Sequence, residues 1–129
     1  MNRKHITKVR DALQVLAETK KSPLKLIKGF YMADVGRSEE CGTAGCLIGW
    51  SAAVLGRRPS IENFGRYEAE SAWGLSELQG EALFCLWGNE AAFRTRNPRH
   101  GVAMLDWLLI QPDDVSPDAI KAKWAEIVR

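Results

Sequence analysis

The run Ala44-Gly45-Cys46-Leu47-Ile48-Gly49-Trp50-Ser51-Ala52-Ala53-Val54-Leu55 carries no charged side chain. It falls short of the roughly 20 apolar residues that cross a bilayer, so it is expected to form a helix buried inside a globular chain. Thr43 stands before it as an N-cap, and Gly56 follows where a left-handed residue often closes a helix. Gly45, Gly49 and Ala53 recur every four residues, with Ala52 and Gly56 beside them, leaving a stripe nearly without side chains. A neighbouring helix can pack there at short distance. An interior glycine costs about 0.5–1 kcal/mol relative to alanine, a cost that close packing or contact of the backbone with a ligand has to offset.

The flanking chain supplies helices to cover that run. Ile6, Val9, Leu13 and Leu16, with Ala12 and Ala17, repeat at three- and four-residue spacing and predict a first amphipathic helix over residues 5–18, ended by Ser22-Pro23. Residues 24–35 show no clean period and are expected to run irregularly, anchored by Leu26, Phe30, Tyr31 and Met32, before a polar loop over 36–40. After Arg57-Arg58-Pro59 and a loop over 60–65, a short helix is expected over 66–73, broken at Gly74. Ser76-Glu77-Leu78-Gln79 has the form of a capping box and predicts a helix over 77–87 that buries Leu78, Ala82, Leu83, Leu86 and Trp87.

Asn97-Pro98 and Ser116-Pro117-Asp118 each set a capping side chain before a proline, whose missing N–H is tolerated at the first helical position. The two helices that follow present Val102, Leu105, Leu108 and Leu109, and Ile120, Trp124, Ile127 and Val128. No β-hairpin signal and no linker is evident. The expected fold is all-α, a compact single-domain bundle of five to six helices over residues 1–129, with an irregular segment between the first two.

With 46% hydrophobic and 26% charged residues in a chain of 129, the composition is that of one globular core, neither a disordered tail nor a membrane protein. Met1-Asn2-Arg3-Lys4-His5 leads into the amphipathic pattern without an apolar leader, which predicts a cytoplasmic product. Three cysteines are an odd set, and reduced thiols are expected. The net charge of +2 hides an asymmetry: residues 1–28 hold eight Lys or Arg against Asp11 and Glu18, a net of +6, which leaves −4 for the rest. A basic end of this kind can meet nucleic acid or an acidic protein surface, or serve only as a solvated helix face.

The segments Cys41-Gly42-Thr43-Ala44-Gly45-Cys46-Leu47-Ile48-Gly49-Trp50-Ser51-Ala52 and Trp73-Gly74-Leu75-Ser76-Glu77-Leu78-Gln79-Gly80-Glu81-Ala82-Leu83-Phe84 carry a resemblance. Together they resemble a loose family of small phage and bacterial proteins with a Cys-Gly-Thr-x-x-Cys turn before an apolar helix and a later Gly-Leu-Ser-like helix start. Phe30-Tyr31-Met32 sits where that family often has an aromatic-acidic-Met element, with Tyr31 in place of the acid. The resemblance covers roughly residues 26–110. It implies a single domain of phage or bacterial origin and assigns no catalytic residue.

Cys46, in the first turn of its expected helix, lies where free amides and the helix dipole favour a thiolate. Cys46 with Leu47-Ile48-Gly49-Trp50, and His100-Gly101-Val102, are similar to the Cys and His elements of NlpC-type cell-wall peptidases and papain-like enzymes. Those folds carry the histidine on a strand, whereas here it follows Asn97-Pro98 at a helix start. Cys41 and Cys46 have the spacing of a zinc pair, but Cys85, His100 and His5 are scattered, so no metal and no cofactor is expected. Tryptophans at 50, 73, 87, 107 and 124 follow the apolar stripes and are expected to pack the core.

The expected function is therefore non-catalytic: binding of a host or phage protein, in an accessory or regulatory and inhibitory role, through Phe93, Arg94, Arg96 and Arg99 near Trp87. Aromatic and arginine groups are the ones enriched at interface hot spots. The motif Cys41, Gly42, Thr43, Gly45, Cys46 and Gly49 is expected to build architecture. Two alternatives stay open. One is nucleic-acid binding through Arg3, Lys4, Lys8, Arg10, Lys20 and Lys21 on one face, and the other is a cysteine-dependent hydrolase using Cys46 and His100.

Overall fold

In the computed structural model, which describes residues 1–33, 36–39, 42–85, 92 and 94–129, the uncharged run lies at the centre of an all-α bundle. Helix α2 (Leu47–Val54) is buried at every position from Leu47 to Ala53. Helix α1 (Arg3–Thr19) turns His5, Ile6, Val9, Ala12, Leu13 and Leu16 inward, and α3 (Arg66–Trp73) turns in Ala69, Glu70 and Trp73. Helix α4 (Glu77–Gly80) continues as a π-helical turn (Glu81–Cys85). Helix α5 (Pro98–Leu109) packs along α1, and α6 (Pro117–Val128) closes against the π-helical turn and α5. No helix among the described residues is long and apolar enough to cross a membrane.

The helix starts follow the capping chemistry. Asn2 accepts from the His5 amide at 3.2 Å, Asn97 from Arg99 at 3.0 Å and Ser116 from Ala119 at 3.1 Å. Ser76 closes its box in both directions, accepting from the Gln79 amide at 3.2 Å while its own N–H donates to Gln79 Oε1 at 2.9 Å. Leu78, expected inside, is 65% exposed. The side chain of Gln79 takes the inward position next to it and donates to the carbonyls of Asp113 and Val115 at 2.8 and 3.0 Å, which leaves Leu78 outside. Leu86 and Trp87 lie outside the described residues.

The segment between α1 and α2 holds a small sheet that the sequence did not announce. Strands β1 (Gly29–Phe30), β2 (Arg37–Glu39) and β3 (Gly42–Gly45) lie in the order β1-β3-β2. β3 runs antiparallel to β2, with Glu39 opposite Gly42, and parallel to β1, with Gly29 beside Ala44. Gly42, Thr43 and Gly45 are therefore strand residues. Helix α2 starts at Leu47 with Cys46, not Thr43, as its N-cap, and the side-chain-poor stripe on α2 shortens to Gly49 and Ala53. Interior glycine is disfavoured in helix and strand alike, and it is the pairing of β3 with both β1 and β2 that holds these residues extended. At the other end Gly56 is left-handed, φ 74°, as expected.

Among the described residues each fully buried indole has a partner for its N–H. Trp50 donates to Gly29 O at 2.9 Å and Trp124 to Leu83 O at 3.0 Å. Trp73 donates to Ser51 Oγ at 2.8 Å, and the same hydroxyl lies 2.7 Å from His5 Nε2. Burial, with Lys8 nearby, holds the His5 pKa below its ordinary 6.5. The network fits a neutral imidazole: Trp73 donates to Ser51, and the Ser51 hydroxyl donates to Nε2. Replacing Ser51 by alanine leaves two buried ring nitrogens unsatisfied, and urea unfolding of Ser51→Ala is expected to show a loss of about 1–3 kcal/mol. Because the unfolded chain takes up the His5 proton first, stability contributed by neutral His5 is present above pH 6.5 and is lost as pH falls through the lowered folded value. The stability difference between pH 7.5 and 5.5 is expected to shrink in His5→Gln; an unchanged difference would show that His5 plays no part in it.

Candidate functional site

Where the last turn of α1, strand β1 and the start of α5 meet, an open groove of about 460 Å³ enters the surface. Leu16 and Phe30, both buried, form its floor together with Pro98, and Lys20, Arg96 and Arg99, all exposed, line its rim. Local chemistry places each of them. The inward stripe of α1 ends at Leu16, and Lys20 then adopts a left-handed conformation, φ 61°, with its amide closing the helix on Leu16 O at 2.8 Å. On α5 the missing side chain of Gly101 lets two neighbours close in. A Cβ there would stand 3.1 Å from both Leu13 Cδ1 and Phe30 Cζ, so α1 and the Phe30 ring approach α5 closely beneath the groove.

The arginine loop is fixed on its inner side. Thr95 is buried, its carbonyl accepts from the Met32 amide at 3.0 Å, and its hydroxyl accepts from the Asn97 amide at 3.2 Å. The same hydroxyl meets His100 Nδ1 at 2.7 Å. Burial lowers the His100 pKa, which suits a neutral ring receiving the Thr95 proton. His100 thereby braces the wall of the groove. Arg94 and Arg96 point outward on this support. The Arg96 guanidinium lies over the Tyr31 ring, 4.0 Å from its centroid, a stacking that restricts a long side chain. Arg99 donates to the Ala17 carbonyl at 3.4 Å, at the negative end of α1.

Two sets of residues proposed from sequence thus converge: Lys20 from the basic N-terminal segment and Arg96 and Arg99 from the arginine cluster. Phe93 and Cys41 lie outside the described residues. The other basic residues of α1 do not share one face. Arg3 pairs with Asp113 at 2.7 Å and also donates to Gln111 O, and Arg10 pairs with Asp106 at 2.8 Å. The Arg3 hydrogen bond, foremost, holds the Asp113 pKa below its usual value. Lys4 and Lys8 are exposed on another side of the helix, and Lys21 follows Lys20 at the surface. Sequence reasoning did not assign Leu16, Phe30 or Pro98 to a site. The one available signal was that Asn97-Pro98 starts a helix beside the arginines and so fixes their loop.

Cys46 is buried, at 4% exposure, on the inner side of the sheet-to-helix junction. Cys85 is half-buried, and its sulfur accepts from Arg66 Nη1 at 3.4 Å. Arg66 also stands 3.0 Å from Glu70 and 3.6 Å from Glu77. The Glu70 carboxylate is buried, and burial raises its pKa against the pull of Arg66. Its Oε1 receives the cation's charge without a well-aligned hydrogen bond. Gly80 makes room for it: a Cβ there would lie 2.3 Å from Glu70 Cγ. Among the described residues no group of three or more side chains is arranged to hold a metal ion.

Comparison with family models, with curated proteins and with solved structures returned no match to this chain. The geometry therefore carries the functional reading. Thiol accessibility is directly measurable: in the native protein at pH 7.5, iodoacetamide is expected to label Cys85 on the order of tenfold faster than Cys46, resolved by peptide mass spectrometry. Equal rates would mean that the Cys46 sulfur is open to solvent and would restore it as a nucleophile.

Proposed function

We propose that the protein is a non-catalytic binding module, accessory or regulatory in role, that docks a protein of a phage or its bacterial host on the groove between α1 and α5. The observation that carries this is the meeting of an apolar floor, Leu16, Phe30 and Pro98, with a rim of long cationic side chains from two distant parts of the chain. A volume near 460 Å³ is in the range of sites that enclose a ligand or a few side chains. Arginine stacked on tyrosine at its edge has the composition of an interface hot spot. Nucleic-acid binding draws less support, since Asp106 and Asp113 already neutralise Arg10 and Arg3. A hydrolase based on Cys46 draws less too, because its sulfur is shielded and the His100 Nδ1 engages Thr95.

A photoreactive benzoylphenylalanine placed at Ala17, on the groove wall, tests the assignment in host cells. It is expected to trap a discrete protein adduct that drops at least about tenfold when Lys20→Glu and Arg99→Glu are added. The same amino acid at Ala122, exposed on α6, is expected to trap none. Identical adducts from both positions, or an adduct indifferent to the charge reversals, would remove the groove as the docking site.

A further inference from the structure

Where α2 ends beside α3, a second open groove of about 450 Å³ runs between Leu55 and Arg57 on one side and the outward face of α3 on the other. It shares no lining residue with the groove between α1 and α5, and the inference does not depend on that reading. Its surroundings are apolar where a solvated helix face is ordinarily polar. Leu55 is 49% exposed and Tyr67 67%, while Ile61, in the turn leading into α3, is 75% exposed. On α6, by contrast, the exposed positions are Asp118, Lys121, Ala122 and Glu126. Single apolar side chains scattered over a surface mean little, but large ones gathered at one place mark a contact surface.

Shape and charge say what fits there. Ser71 and Ala72 stand one helical turn beyond Tyr67 and Glu68, so small side chains follow large ones along the same face. The hollow suits an incoming Leu or Tyr. Tyr67 is steadied by Arg66, whose guanidinium lies 5.2 Å from the ring centroid, and a restrained ring loses little freedom on contact. The lining also carries one charge of each sign. Arg57 donates to Asn63 O at 3.0 Å and lies over Phe64, and Glu68 accepts the Gly65 amide at 3.0 Å. Among the described residues neither makes an ion pair. A face of one sign repels its own copy, whereas a face with both signs complements itself. In a closed two-fold contact the same patch is used twice, so that each copy's Arg57 meets the other copy's Glu68.

We propose that the face formed by the end of α2 and the outward side of α3 binds a second copy of this chain in a two-fold contact, with Leu55 and Tyr67 at its centre and reciprocal pairs between Arg57 and Glu68 at its edge.

Sedimentation velocity of the full chain tests this directly. A dimer is expected to be populated at about 100 μM and to dissociate towards about 1 μM, as mass action requires. The Leu55→Ser, Tyr67→Ser variant removes no cap or hydrogen bond of the fold, and circular dichroism is expected to match the parent while dimer dissociation rises at least about tenfold. The charges are tested by exchange. Arg57→Glu and Glu68→Arg, each alone, set like charges opposite one another and are expected to be monomeric; mixed in equal amounts, they pair opposite charges at both edges and are expected to form a heterodimer. An effect confined to one chain cannot be restored by mixing. A chain that stays monomeric up to about 500 μM overturns the proposal, as does a dimer that survives Leu55→Ser, Tyr67→Ser or a mixture that stays monomeric. Benzoylphenylalanine at Ser71 is expected, on irradiation in host cells, to give an adduct of two copies of the chain; an adduct with a different protein in its place overturns the proposal as well.

Discussion

Ser51 has no exposed surface, and its hydroxyl is the meeting point of His5 from α1 and Trp73 from α3. Burial of α2 drives the assembly, since apolar area removed from water is worth about 25 cal/mol per Å². That drive is non-directional and would accept several rotations of the covering helices. The hydroxyl accepts only those that bring both ring nitrogens within hydrogen-bonding distance. A buried donor left unpaired costs more than a satisfied one gains, so alternative packings are disfavoured by what they would leave unsatisfied. The apolar residues around Ser51 supply cohesion, and the polar contact selects one arrangement.

The groove inherits its geometry from that selection. With His5 fixed against Ser51, the rotation of α1 about its axis is set, and the stripe through Val9, Leu13 and Leu16 follows at helical spacing. Lys20 then emerges one turn beyond Leu16. The neighbouring residue of α2 fixes the other wall: Trp50 donates to the carbonyl of Gly29 and holds β1 against the bundle, with Phe30 next in line. Gly101 completes the arrangement by letting the Phe30 ring and Leu13 close on α5. Two consecutive residues of one buried helix thus position both sides of a surface feature that neither of them touches.

Long elements with explicit caps were legible in the sequence. The helix over 66–73 is found with the expected limits, and the starts at Asn97-Pro98 and Ser116-Pro117 follow from side-chain oxygens that satisfy free amides. The sheet was not legible, because Gly42-Thr43-Ala44-Gly45 has too little side chain for an alternating pattern to register and Gly29-Phe30 is too short to show one. Pairing partners distant in sequence decide such strands. Ile27, fully buried, went unassigned for the same reason: it precedes β1 in a stretch without a period. The site was half legible. Arg96, Arg99 and Lys20 could be picked out by composition, but their meeting depends on α1 and α5 lying against each other, which spacing within either helix cannot reveal.

Two local costs coincide at the rim of the groove. Lys20 ends α1 in a left-handed conformation, where a residue with a Cβ is disfavoured by roughly 1–2 kcal/mol and glycine is the usual choice; Gly74 does that task for α3 with φ 68°. A lysine in that place keeps a cation beside Arg96 and Arg99 and adds like-charge repulsion to the backbone cost. Neither cost serves the fold, since a glycine at 20 would close the helix at least as well and lower the local charge. Where Arg3 and Arg10 support packing, the chain supplies Asp113 and Asp106 to meet them. At the groove the left-handed lysine instead stands with Leu16 and Phe30 among the lining residues, so it contributes a cation to the surface where the helix end alone needs none.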